Sequence, residues 1–201
     1  MKLFYVPGAC SLSPHIVARE LEIGLLLEKV DLAHKTTASG GNYLIVNPKG
    51  TIPALELDSG EILTEGTAIV QYLADLRPEL MLIPAPKTLA RYRVQEMLGY
   101  INSELHTSYN ALIYPNVSKS RRAEAMSNLR QCYGYLEAHL VSREYLANDR
   151  YSVADAYLFT VTNWAAIADF SLTEFPEVSR FQSRISARPA VRQAMKAEGL
   201  T

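Results

Sequence analysis

Residues 2 to 6 read KLFYV, a run of β-formers closed by Pro7 and Gly8, and predict a buried strand. Past that turn the period changes. Leu12, Ile16, Val17 and Leu21 recur at spacings near four, which predicts a helix with one apolar face. LEKVDL, from Leu27 to Leu32, alternates as a second strand, and TASGGNY is a loop. IPALEL, from Ile52 to Leu57, is a third strand opened by a proline. DSG, from Asp58 to Gly60, predicts a tight hairpin turn with EIL as the partner strand. A helix begins near Glu65, its stripe formed by Ile69, Tyr72, Leu73 and Leu76. The order β-α-β then β-β-α describes a small mixed sheet of four strands with helices packed on it.

Beyond RPELMLIPAPK, a linker-like stretch with three prolines from Arg77 to Lys87, the pattern is helical throughout. Val94, Leu98, Ile101, Leu105 and Leu112 trace one face of a long helix. Met126, Leu129, Cys132, Tyr133, Leu136 and Leu140 trace another. Ser152 followed by Asp155 predicts a capping box, and Pro176 and Pro189 mark two further helix starts. The expected organisation is α/β plus all-α: a sheet domain over 1–77, a linker over 78–87 and a helical domain over 88–201.

Composition narrows the function classes. A net charge of -1 over 201 residues offers no basic field for nucleic acid or anionic lipid. No apolar run approaches the roughly 20 residues that cross a bilayer. The first residues are broken too soon by Pro7 and Gly8 to read as a signal peptide. Two cysteines, with neither a CxxC pair nor a Cys/His cluster, argue against a disulfide scaffold and a structural metal, so the expected setting is the reducing cytoplasm.

Cys10 carries the first candidate chemistry. At a strand-to-helix turn, free backbone N–H groups and the helix dipole favour a thiolate, and Ser11 and Ser13 add hydroxyls nearby. Position alone leaves a reactive thiol and an inert core thiol equally open, whereas Cys132 on its apolar stripe reads as core. Pro53 suits either an ordinary strand-edge trans proline or a cis turn presenting the backbone of Ile52 to an extended ligand. Glu65 and Gly66 open a helix where N–H groups suit a carboxylate and the Glu65 side chain suits an ammonium; ordinary helix capping also fits. Asn102, Ser103, His106 and Asn110 share a polar helical stripe, a solvated face or a cleft wall with His106 as donor or base. Tyr109, Leu112, Tyr114 and Trp164 read as core or as pocket lining, and His15, His34 and His139 show no partner at a readable spacing.

With PGACSLSPHI, NPKGTIPAL, LTEGTAIVQYLAD, SELH and SVADAYLF in this order, essentially the whole chain resembles the bacterial beta-class glutathione transferases. The resemblance implies a thioredoxin-like N-terminal domain, a helical C-terminal domain and a homodimer. It implies glutathione as co-substrate, small hydrophobic electrophiles as partners, and no metal. By motif, Cys10 corresponds to the cysteine that forms a mixed disulfide with glutathione, with Ser11 beside it. Ile52 and a cis Pro53 correspond to the pair that bonds the cysteinyl unit, and Glu65 and Gly66 to the holders of the γ-glutamyl group. Lys35 corresponds to a cation near the glycyl carboxylate, and His106 to a histidine near the sulfur. Ser103 and Glu104 correspond to positions through which a second subunit reaches the tripeptide. Gly99 and Thr107 depart from the Asn and Lys common there, which bears on affinity and substrate range. The implied activity is conjugation, with Cys10-dependent disulfide exchange or peroxide reduction beside it. A non-catalytic binding relative and a dedicated dehalogenase or isomerase are the other readings; the retained Cys10, Pro53, Glu65 and Gly66 argue against the first.

Overall fold

The computed structural model of the chain describes residues 1–113 and 117–200, so Tyr114 lies outside the described residues. The chain divides into two compact units, Met1–Met81 together with Arg188–Thr201, and Leu82–Ala187.

The first unit is built on β1 (Lys2–Tyr5), β2 (Leu26–Asp31), β3 (Thr36–Thr37), β4 (Ala54–Glu56) and β5 (Ile62–Thr64). The sheet order is β3-β2-β1-β4-β5. β1 runs parallel to β2 with Leu3 opposite Leu27, and antiparallel to β4 with Leu3 opposite Leu55. Leu3 and Phe4 are both buried, and successive strand side chains point to opposite faces, so both faces of the sheet are covered. α1 (Leu12–Glu20) and α3 (Gly66–Asp75) pack on each other and bury Ile16, Val17, Ile69 and Leu73. Phe4, Val30, Tyr43 and Ala54 form a separate cluster, against which Val6 and Ile52 pack. The expected hairpin is closed by Gly60 N–H to the Leu57 carbonyl and Leu57 N–H to the Glu61 carbonyl, both at 2.9 Å.

Three features differ from the sequence expectation. The four expected strands gain a fifth, β3, which takes the first residue of the expected TASGGNY loop, and the last residue of that loop, Tyr43, opens a single helical turn, α2 (Tyr43–Val46). Tertiary burial of Tyr43 and the Asn42 side chain, which accepts from Leu44 N–H, organise this segment where periodicity is too short to register. The last helix, α9 (Pro189–Ala197), groups with the sheet unit and packs on α1 through its buried Ala190, Val191 and Ala194. Arg188 reinforces this with a bidentate pair to Glu20 at 2.6 and 2.9 Å. Glu198, fully buried, takes a hydrogen bond from Gly8 N–H at 2.9 Å and sits 2.9 Å from His15 Nδ1.

In the second unit α4 (Leu89–Tyr100), a π-helical segment (Ile101–His106) and α5 (Thr107–Ile113) follow one another without a break. α6 (Lys119–Leu140), α7 (Val153–Thr162) and α8 (Pro176–Ser186) complete it. All ten residues of α7 are buried. Its capping box forms as expected, and Asp155 receives Leu146 N–H, Ser152 N–H and the Ser152 hydroxyl at 2.8, 2.8 and 2.9 Å. Burial pushes the Asp155 carboxyl up to about 6 against the opposing pull of these donors. Cys132 is buried between Leu129 and Leu136 on α6, a core thiol. No helix among the described residues is long and apolar enough to cross a membrane.

Candidate functional site

The turn between β1 and α1 is shaped by Ser11. Its hydroxyl donates to the Val6 carbonyl at 3.1 Å and accepts from Val6 N–H at 3.2 Å. This ties the strand exit to the helix start, and the hydroxyl hydrogen goes to that carbonyl rather than to the neighbouring thiol. Gly8 takes φ +70°, and a Cβ there would stand 3.3 Å from Leu200 Cδ2. A side chain at Gly8 would therefore meet both backbone strain and the C-terminal residues.

Cys10 is half-buried, and its thiol donates to the Ile52 carbonyl at 3.4 Å. Burial pushes this thiol up to about 12; the backbone N–H groups of Cys10 and Ser11 pull the other way, and the Glu65 carboxylate adds to the rise. The expected helix-start effect thus acts with the right sign and loses to desolvation. The resting group is a neutral thiol, where the sequence position suggested a thiolate.

Ile52–Pro53 is a cis peptide. The carbonyl before it, on Thr51, accepts from the Tyr43 hydroxyl and from Asn47 Nδ2, both at 2.7 Å. Tyr43 and Asn47 are functional supports that the sequence reading missed. Their shared acceptor lies four to eight residues away along an irregular loop, outside any helical or strand spacing. Gly66 sits over the ring of Pro53, so that a Cβ would lie 3.6 Å from Pro53 Cγ. Cys10, Ile52, Pro53, Glu65 and Gly66 are thereby brought together in one cluster.

Glu65 caps α3 with φ +68°, ψ +114°, an unusual backbone for a residue with a side chain. Its carbonyl accepts from Ala68 and Ile69 N–H at 3.0 Å, and its own side chain makes no capping hydrogen bond to the first turn. The Glu65 carboxylate is exposed and takes the Lys49 ammonium at 2.7 Å, so this carboxylate already binds a primary ammonium here. Lys35, in the left-handed region at φ +54°, donates Nζ to the Gly50 carbonyl at 2.8 Å. It therefore stands beside the loop that leads to Ile52.

In the second unit the π segment carries Asn102, Ser103, Glu104 and His106. A π turn adds a residue to the ring and shifts the polar stripe relative to an ordinary helix, a feature common at functional positions. Ser103 and Glu104 are exposed and share a hydrogen bond at 3.0 Å. His106 Nδ1 lies 2.6 Å from Tyr157 Oη, and Trp164 packs edge-on with ring centroids 4.9 Å apart. Burial lowers the His106 imidazole to about 4, so the ring is neutral at physiological pH. Tyr109, Leu112 and Trp164 are buried side chains of this unit. His15 and His34 have the partners that sequence spacing did not show, Glu198 and Asp31; the second, at i,i+3, was readable. Among the described residues no three His, Cys, Asp or Glu side chains gather as a metal site.

A βαβ-ββα mixed sheet with a cis proline facing a cysteine-bearing turn, together with an all-helical unit, defines a thioredoxin-like domain joined to a helical one. Two family descriptions match: the glutathione S-transferase N-terminal domain over residues 8–76 and the C-terminal domain over residues 91–189. Glutathione S-transferase GstA of Escherichia coli O157:H7 is 41% identical over 200 residues, covering 100% of each chain. Among solved structures, the ternary complex of BphK, a bacterial glutathione transferase, matches with a TM-score of 0.98 at 47% identity over 100% of both chains. The bacterial beta-class glutathione S-transferase of Sphingomonas chungbukensis matches at 0.97 and 42%, again over 100% of both. The chain belongs to the glutathione S-transferase family, and within it to the bacterial beta-class type.

Proposed function

We propose that the chain conjugates glutathione to small hydrophobic electrophiles, with the sulfur of glutathione as the nucleophile. The carrying observation is the cluster of Cys10, Ile52, Pro53, Glu65 and Gly66 with Cys10 as a neutral thiol donating to the Ile52 carbonyl. A neutral Cys10 is a poor nucleophile, so the resting site favours attack by the bound co-substrate. The Ile52 backbone takes the cysteinyl unit in the manner of an added strand. Glu65 takes the γ-glutamyl ammonium in place of Lys49, the α3 start takes the adjoining carboxylate, and Lys35 turns its ammonium to the glycyl carboxylate. Ser11 shapes the turn. His106 is the histidine assigned to the sulfur by motif, and Ser103 and Glu104 are assigned to a second subunit in a homodimer. No metal enters this chemistry, and two free cysteines suit a reducing cytoplasm.

Disulfide exchange is the second reading, favoured by the partial exposure of Cys10. Intact mass after incubation with glutathione disulfide, and a conjugation assay with an activated aryl halide, separate the two. Conjugation is expected to survive in Cys10→Ala, while the reductant-sensitive glutathione adduct is lost there and kept in Cys132→Ala. Loss of conjugation in Cys10→Ala, or an adduct on Cys132, overturns the assignment.

A further inference from the structure

Tyr157 Oη donates its hydrogen to Asn102 Oδ1 at 2.9 Å and lies 2.6 Å from His106 Nδ1. A hydroxyl has one hydrogen, so toward the imidazole Tyr157 acts as acceptor and Nδ1 carries the proton. In a neutral ring the other nitrogen, Nε2, is then a bare lone pair. The orientation of the ring is held on two further sides, by Trp164 and by the ring of Tyr157 at a centroid distance of 6.1 Å. Asn102 and His106 share the π segment, while Tyr157 comes from α7, so the hydrogen-bond chain bridges two helices of one unit.

We propose that Asn102 and Tyr157 are positioning residues that lock His106 in the Nδ1–H tautomer, so that Nε2 meets the substrate as a proton acceptor and never as a donor. The proposal rests on the assignment of His106 to the glutathione sulfur, and it gives that residue its direction of proton flow. A thiol S–H complements a lone pair; a preformed thiolate does not. The S–H proton moves to Nε2 as the sulfur–carbon bond forms. The carbon–halogen pair departs with the halide, and the imidazolium returns its proton to water. Throughout, Nδ1–H stays on Tyr157, so no further reactant is required.

Long-range proton–nitrogen NMR of the ¹⁵N-histidine-labelled full chain reads the tautomer directly, with His106→Gln assigning the signal among the four histidines. Wild type is expected to show Nδ1–H. Asn102→Ala removes the acceptor of the Tyr157 hydroxyl and should move the ring toward Nε2–H. Asn102→Asp, which still accepts, should keep the wild-type pattern, and Tyr157→Phe should give a mixture. On the same samples Asn102→Ala should lower conjugation on the order of tenfold to a hundredfold at unchanged glutathione KM. An Nε2–H signal in wild type, an unshifted ring in Asn102→Ala, or a shifted ring with unchanged turnover overturns the proposal. If wild type conjugates nothing, the functional reading fails, and the spectra decide the tautomer lock by themselves.

Discussion

Around Cys10 the chain works mainly with backbone atoms, whereas around His106 it works with side chains. The Cys10 cluster is made from the Ile52 carbonyl, a cis proline, a glycine lying on that proline and a positive-φ helix start at Glu65. The His106 cluster is made from an amide, a phenol and an indole held by helices. A backbone-built cluster needs only that its turns keep their shape. A side-chain relay fails when one member is changed.

The comparison breaks first at the frame of the helical unit. Asp155→Ala leaves three buried donors without their acceptor and removes the Asp155 half of the capping box of α7, which carries Tyr157. A loss of about 3–5 kcal/mol is expected in denaturant melts. A change under about 1 kcal/mol would mean that the capping box is peripheral to this unit. Next comes the one charged side chain of the backbone cluster. Glu65→Ala should raise the glutathione KM on the order of tenfold to a hundredfold, as expected for a lost charge-assisted bond worth about 1.5–3 kcal/mol. Isothermal titration with glutathione checks this, and an unchanged affinity would move the ammonium elsewhere.

Smaller effects sharpen the contrast. Tyr43→Phe removes one of the two donors on the Thr51 carbonyl and should cost about 1 kcal/mol of stability, since Asn47 still holds the turn. The pH responses run in opposite directions. A thiol raised to about 12 is protonated in the folded state across the neutral range. Folding therefore gains stability from it below the ordinary thiol range and loses that stability as pH rises through about 12. Alkylation of Cys10 by iodoacetamide should climb steadily with pH and show no plateau near neutrality. For His106, lowered to about 4, no loss of conjugation through its protonation is expected until the pH approaches that value. The smallest expected effect is Lys49→Ala, whose exposed pair with Glu65 should change stability by less than about 0.5 kcal/mol in melts.

What the sequence disclosed follows the same division. The hairpin turn at Gly60, the Ser152–Asp155 box and the proline-started helices are written in residues a few positions apart, and the cluster around Pro53 is marked by Pro, Glu and Gly. The resting state of Cys10 was not readable, because the helix-start effect is local while the desolvation that outweighs it depends on packing by distant residues. The Tyr157 relay joins residues 51 and 55 positions apart, and no periodicity announces such a partner. The π segment escaped for a related reason: an apolar stripe at spacings of three and four looks the same when one stretch winds more loosely. α9 was legible only as a helix started by Pro189, and a helix start does not say which unit its apolar face will cover.

That last helix has a consequence for how the protein is made. Gly8, in the turn that bears Cys10, bonds to Glu198, and α1 is covered by Pro189–Ala197. A ribosome emits the chain in order, and domains ordinarily fold as their sequences emerge. Here the bond from Gly8 to Glu198 cannot form until residue 198 has been synthesised, after every residue of the helical unit. The thiol turn is thus latched only once α9 has been made, and a nascent chain stalled before α9 carries Cys10 on an unlatched loop.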